Sequence, residues 1–188
     1  FIVDNGSDVI SENEDSGTDL VISSVTYTLA GNVENLTLSG NAATSGIGNS
    51  LNNIIVGNSR ANTIAGGDGD DSLVAGEGSD SINGGLGIDS LFGGVGDDTL
   101  IADNLDAILD GGASERDWVF SSDSVNLSSS RFVRVENILL NGTASIHAIG
   151  NSLTNIIVGN SNDNSLDGGK GIDSMVGGIG NDTYFVDN

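Results

Sequence analysis

Four consecutive nine-residue units, GGDGDDSLV, AGEGSDSIN, GGLGIDSLF and GGVGDDTLI, occupy residues 66–101. Glycine holds the first, second and fourth positions: Gly66, Gly67 and Gly69, then Gly76 and Gly78 behind Ala75, then Gly84, Gly85 and Gly87, then Gly93, Gly94 and Gly96. The sixth position is aspartate in every unit (Asp71, Asp80, Asp89, Asp98) and the eighth is aliphatic (Leu73, Ile82, Leu91, Leu100). Two further copies, GGKGIDSMV and GGIGNDTYF, follow at residues 168–185 and supply Gly168, Gly169, Gly171 and Asp173, then Gly177, Gly178, Gly180 and Asp182. Glycine permits positive φ and lets main-chain carbonyls converge with no Cβ in the way. An ionised carboxylate at the end of such a turn adds a hard anionic oxygen. Carbonyls and carboxylates together, away from any cysteine or histidine cluster, are the ligands of a hard cation. A flexible cage of about six to eight oxygens suits Ca²⁺ better than Mg²⁺.

Elements must hold these turns at a fixed spacing. The three residues after each turn, as in Ser72, Leu73 and Val74, read as strand with the middle side chain inward. One unit is too small to bury its own apolar face, so it must stack on a neighbour. Two units then make a coil of turn, strand, turn, strand, and aspartates on one edge recur every eighteen residues. That spacing pairs Asp71 with Asp89 and Asp80 with Asp98 across successive coils. The expected fold is all-β, a parallel β-roll or β-solenoid with glycine-rich calcium-binding turns.

The pattern GGxGxDxUx runs unit by unit through residues 66–101, with Ala75 as its one departure at a first position. In this the chain resembles the calcium-binding β-roll of RTX, or haemolysin-type, exoproteins. The resemblance implies several Ca²⁺ ions, type I secretion, an extracellular or cell-surface location, and folding triggered by calcium outside the cell.

Composition agrees with bound cations. The net charge is -22, from 27 acidic residues against 5 basic ones, and 37% of residues are hydrophobic. That much like charge opposes a compact fold unless cations quench it. A surface this acidic excludes nucleic acid as the partner. No cysteine is present, so disulfides and thiolate sites are excluded. No run approaches the ~20 apolar residues of a membrane helix, and membrane insertion is not expected.

A longer repeat overlies the short one. VENLTLSG at 33–40 returns as VENILLNG at 135–142, an offset of 102 residues, and GNSLNNIIVGN at 48–58 returns as GNSLTNIIVGN at 150–160. The chain therefore reads as two modules: a strand-rich lead-in (1–47), a first β-roll block (48–110), an inter-module segment with a second lead-in (111–149), and a second block (150–188). In the Asn-rich units Asn53, Asn62, Asn155 and Asn164 take the sixth position. Asparagine can ladder across coils without the repulsion of a carboxylate row, and these four are expected to be structural.

After residue 101 the pattern lapses. ADNLDAILD at 102–110 keeps Leu109 as the expected inward residue and places Ala107 where the aspartate belongs, so Asp89 is expected to have no onward partner. GGASERDWV at 111–119 puts Arg116 in the sixth position and Asp117 one later, through either a guanidinium substitute or an extra turn residue. Trp118, Val119 and Phe120 are expected to cap or widen the core, and Ser-rich 121–134, with Arg131 and Arg134, to form an inter-module loop.

His147 is the only histidine, and no nucleophilic or acid-base set assembles around it, so no catalysis is expected. Two noncatalytic readings remain. One is a calcium-stiffened structural unit of an adhesin, surface layer or filament, stacking end to end with copies of itself, because FVDN at 185–188 echoes FIVDN at 1–5. The other is an accessory module of a secreted epimerase, protease or lipase, with extracellular polysaccharide as a partner.

Overall fold

A strand of three to six residues has too little surface to hold itself, so each one in this chain is fixed by the coil before it and the coil after it. The computed structural model describes residues 1–14, 17–110, 112 and 116–187, and these form twenty-one short strands and no helix. Gly111 and Ala113 to Glu115 of GGASERDWV and Asn188 of FVDN lie outside the described residues, as do Asp15 and Ser16.

The lead-in carries β1 (Ile2–Val3), β2 (Leu20–Ser23), β3 (Tyr27–Thr28) and β4 (Asn35–Leu38). The Asn-rich units carry β5 (Ser45–Ile47) and β6 (Ile54–Val56). Around the four nonapeptides lie β7 (Thr63–Asp68), β8 (Ser72–Glu77), β9 (Ser81–Leu86), β10 (Ser90–Val95) and β11 (Thr99–Ile101). The segment between blocks carries β12 (Ala107–Leu109), β13 (Trp118–Ser121), β14 (Val125–Asn126), β15 (Phe132–Val133), β16 (Asn137–Leu140) and β17 (His147–Ile149). The second block carries β18 (Ile156–Val158), β19 (Ser165–Asp167), β20 (Ser174–Val176) and β21 (Thr183–Phe185).

All pairings are parallel and form three sheets. The first runs β1-β2-β4-β6-β8-β10-β12-β15, the second β3-β5-β7-β9-β11-β13-β16-β18-β20, and the third β14-β17-β19-β21. From β2 on, alternate strands belong to opposite faces up to the second lead-in, where the first sheet ends at β15 and the third has begun at β14. The second sheet continues through both blocks.

The core is two columns of stacked aliphatics. Val21, Leu36, Ile55, Leu73, Leu91 and Ile108 are in register on the first sheet, and Ile64, Ile82, Leu100, Val119, Ile138 and Ile157 on the second. All are buried. Each such side chain contributes roughly 1.5–3 kcal/mol by leaving water, and this one-residue-deep column is what keeps the turns in line.

Several expectations are corrected here. Strands β7 to β10 are six residues long and include the first two glycine positions of the following unit, so the turn is shorter than its glycine content suggests. The coil after β11 is one residue short: Leu91 pairs with Ile108, which faces the core, while Leu109 faces outward and is 41% exposed. In the next coil the extra-residue alternative for 111–119 holds and the guanidinium one does not: Thr99 pairs with Trp118, and Arg116 falls outside the pattern. Of the aromatic cluster only Val119 enters the core; Trp118 and Phe120 alternate to the outer face, where their rings meet edge to face at 6.2 Å. Residues 121–134 are solenoid rather than loop, with β14, β15 and the buried Val125 and Leu127.

Candidate metal centre

The second and fourth glycines of all six units adopt left-handed backbone, with φ between 77° and 144°. Space dictates the first-position glycines. A Cβ on Gly66 would collide with Asp71 Oδ2, one on Gly84 with Asp89 Oδ2, and one on Gly177 with Asp182 Oδ2; on Gly168 it would stand 2.6 Å from Asp173 Oδ2. Each of these turns is thus closed around a carboxylate oxygen with nothing larger than hydrogen on the facing glycine; only the Asp80 turn carries a Cβ there, on Ala75.

The other oxygen of each aspartate holds the preceding coil. Asp89 Oδ1 accepts the Asp71 amide at 2.9 Å, and Asp98 Oδ1 accepts the Asp80 amide at 2.8 Å. Upstream, Asp71 and Asp80 accept the amides of Asn53 and Asn62 at 2.7 and 2.6 Å. In the second block Asp173 and Asp182 accept those of Asn155 and Asn164, both at 2.9 Å. The structure therefore brings Asp71 to Asp89 and Asp80 to Asp98, as the eighteen-residue spacing predicts.

One oxygen is left over. Oδ2 of Asp71, of Asp80 and of Asp89 is buried and accepts no hydrogen bond from the protein. A buried carboxylate oxygen without a partner costs several kcal/mol as an anion, so it takes either a proton or a cation. Burial pushes Asp71 up to about 6, helped by the charges of Asp89, Asp70 and Asp68 and opposed by the Asn53 amide. Burial likewise raises Asp80 and Asp89. Orphaned oxygens, converging backbone and an all-oxygen donor set fit a hard divalent cation.

The Asn-rich turns solve the same problem without an ion. Asn53 Oδ1 accepts the Asn49 amide at 2.8 Å while its Nδ2 donates to Glu34 O at 3.1 Å. Asn62 does the same with Asn58 and Thr44, and Asn155 and Asn164 repeat it with Asn151 and Glu136, and with Asn160 and Ile146. The expected ladder runs to main-chain carbonyls rather than from amide to amide. Both ends of each side chain are satisfied, so these turns close on themselves. Asn49, Asn58, Asn151 and Asn160 had a readable signal, a second asparagine four residues ahead of each sixth-position one.

Carboxylates continue past the motif. Asp106, reached by the short coil, accepts the Asp89 amide at 3.0 Å and the Asp103 amide at 2.8 Å, so Asp89 does have an onward partner and Asp106 ends that edge with both oxygens bonded. On the other edge Asp117 accepts the Asp98 amide at 2.8 Å, and its own amide donates to Glu136 at 3.0 Å. Buried Asp98, Asp110 and Asp117 bring carboxylate oxygens within 4.8 Å of one another. Burial, then the charges of Asp110 and Glu136, push Asp117 up to about 8 against the Asp98 amide. Sequence reading missed Asp106 and Asp110 because a fixed nine-residue step cannot follow a shortened coil; Asp117 it reached through the extra-residue alternative, which the nineteen-residue step from Asp98 bears out. The Arg131 guanidinium donates to the Asp106 carbonyl at 3.0 and 2.7 Å.

A parallel β-roll whose glycine turns bring carboxylates inward, three of them with a buried oxygen that no protein group satisfies, defines a calcium-binding repeat solenoid. The family model of the RTX calcium-binding nonapeptide repeat, in four copies, matches residues 47–82, 74–106 and 149–184, together 96 of the 188 residues. The chain belongs to the RTX calcium-binding repeat family, and its cofactor is Ca²⁺, several ions. No curated protein is significantly similar to it. No described helix is long and apolar enough to cross a membrane.

Proposed function

We propose that this chain is a noncatalytic structural unit of a secreted or cell-surface bacterial protein, folded by extracellular Ca²⁺ and stacked with further coils of its own kind into an array or filament. The orphaned Oδ2 atoms of Asp71, Asp80 and Asp89 carry the reading. Asp71, Asp80, Asp89 and Asp98, with Asp173 and Asp182, are the carboxylate ligands in it, and the glycine carbonyls of the same turns complete the oxygen set. The ion supplies charge neutralisation; the chain supplies convergence of oxygens and in-register coils. Without calcium the carboxylates repel and the glycines retain their large backbone entropy, so the unfolded chain is favoured. With it, binding energy becomes folding energy. Parallel in-register pairing, which any further coil of this type extends, supports end-to-end stacking of copies.

Calcium titration followed by circular dichroism and light scattering tests both parts. The expected result is β-structure appearing with calcium and particles that lengthen. A fold untouched by a strong chelator overturns the calcium mechanism. A folded chain that stays monomeric overturns self-stacking and leaves the accessory-module reading, in which polysaccharide is the partner.

A further inference from the structure

Where the first sheet stops at β15 and the third starts at β14, the two faces part and leave an open cleft of about 590 Å³. Its apolar wall includes Leu127, Phe132, Ile149 and Leu153, and its charged groups are Arg134 and Lys170. None of the described residues lining it is acidic. In a chain with 27 acids and 5 bases, two cations and no acid among the described residues around one apolar cleft is a local departure from the overall charge.

The internal repeat supplies the comparison. At an offset of 102 residues Ile149 and Leu153 correspond to Ile47 and Leu51, so that part of the frame is common to both modules. Arg134 corresponds to Asn32, and Lys170 to Asp68. Asn32 and Arg134 even share the left-handed φ of 63°, a conformation asparagine tolerates and arginine seldom adopts. The second module thus carries a positive residue at each place where the first carries a neutral or negative one. At position 134 it does so in a backbone conformation that disfavours the side chain. Backbone strain of this kind collects at binding sites.

We propose that this cleft binds a small organic anion, a carboxylate on an apolar body, and that the equivalent surface of the first module does not. The volume lies in the usual range of small-molecule sites, about 300–1,000 Å³, which pair an apolar lining with a few polar groups. The apolar wall takes the hydrocarbon part of the ligand. Lys170, exposed at the rim, and Arg134, whose Nη1 also donates to the Gly112 carbonyl at 3.3 Å, face the carboxylate.

The probe is 4-phenylbutyrate, titrated calorimetrically into the calcium-saturated chain, with acetate and 4-phenylbutan-1-ol as partners lacking the apolar body and the charge. One saturable site is expected for 4-phenylbutyrate, with either control weaker by about tenfold or more. The double variant R134N/K170D, which installs the first module's residues, is expected to lose at least about tenfold in affinity with an unchanged circular dichroism spectrum. Lys170→Gln alters only an exposed side chain and is expected to give an intermediate loss, so the outcome does not depend on the double variant folding. Absence of saturable binding, equal binding of the alcohol, or full affinity in the folded double variant or in Lys170→Gln overturns the proposal.

Discussion

Each nonapeptide aspartate has two jobs, one per oxygen. Oδ1 of Asp89 holds the Asp71 amide of the coil before it, while Oδ2 is buried without a protein partner. Asp89→Ala removes both and leaves a buried N–H unsatisfied, a cost of about 1–3 kcal/mol. It is expected to lower calcium stoichiometry and the melting temperature in calcium; unchanged values for both would refute the pairing. Asp89→Asn keeps an acceptor for that amide but removes the buried charge, so it should weaken calcium binding while shifting the metal-free chain toward the folded state, as calcium titration and the β-signal in chelator would show. The raised acids set the pH dependence. Asp71 and Asp106, pushed up from 3.8 to about 6, and Asp117, pushed up to about 8, bind protons more tightly folded than unfolded. Their contribution is fully present below about pH 3.8 and is lost as pH rises through 6 and then 8. The metal-free chain should therefore show more β-signal at pH 5 than at pH 8. The calcium-loaded chain should run the other way, because protons compete with the ion for Asp71. A metal-free β-signal and a calcium-loaded melting temperature that move the same way with pH would contradict this assignment.

At the scale of the strand and its turn, the close contact of coil on coil is what glycine makes possible. Gly94 pairs with Gly76 between β10 and β8, has a φ of 114°, and a Cβ there would collide with the Gly76 carbonyl. Gly94→Ala adds roughly 1–2 kcal/mol of left-handed strain to that collision, whereas Gly6→Ala meets nothing within 4 Å. Calcium titration and melting of the two variants should separate them clearly; equal behaviour would mean the coils can part at β8 and β10 without loss. These elements were legible in the sequence because an exact period fixes which residues stack: Leu73 under Leu91 and Asp71 beside Asp89 follow from counting alone. Counting fails where a turn changes length. Ile108 rather than Leu109 faces the core, and Asp106 and Asp117 take the aspartate places, because strand pairing tolerates a coil of seventeen or nineteen residues as long as the inward side chain stays in its column. The asparagine turns were legible in residue type but not in bonding, since the same amide can face a side chain or a carbonyl and only the neighbouring coil decides.

For the whole molecule the question is what the 22 surplus negative charges need. Two kinds of acid are present, and they answer differently to salt. Exposed ones such as Glu77 and Asp97 repel through water, where about 0.1 M monovalent salt shortens the range to roughly 10 Å. Those in the turns, Asp71, Asp80 and Asp89, are 1–3% exposed, and an ion that cannot enter the turn cannot satisfy their inner oxygens. High sodium chloride should therefore relieve the surface and leave the turns unsatisfied. The metal-free chain is expected to remain without its β-signal in about 0.5 M NaCl, where screening is nearly complete. It should gain that signal cooperatively in calcium at far lower ionic strength, because each occupied turn fixes the coil on which the next one forms. Circular dichroism over the two titrations decides it. If sodium chloride alone produced the same spectrum and the same melting temperature as calcium, the acid surplus would be a matter of general repulsion, and the turns would not be ion sites at all.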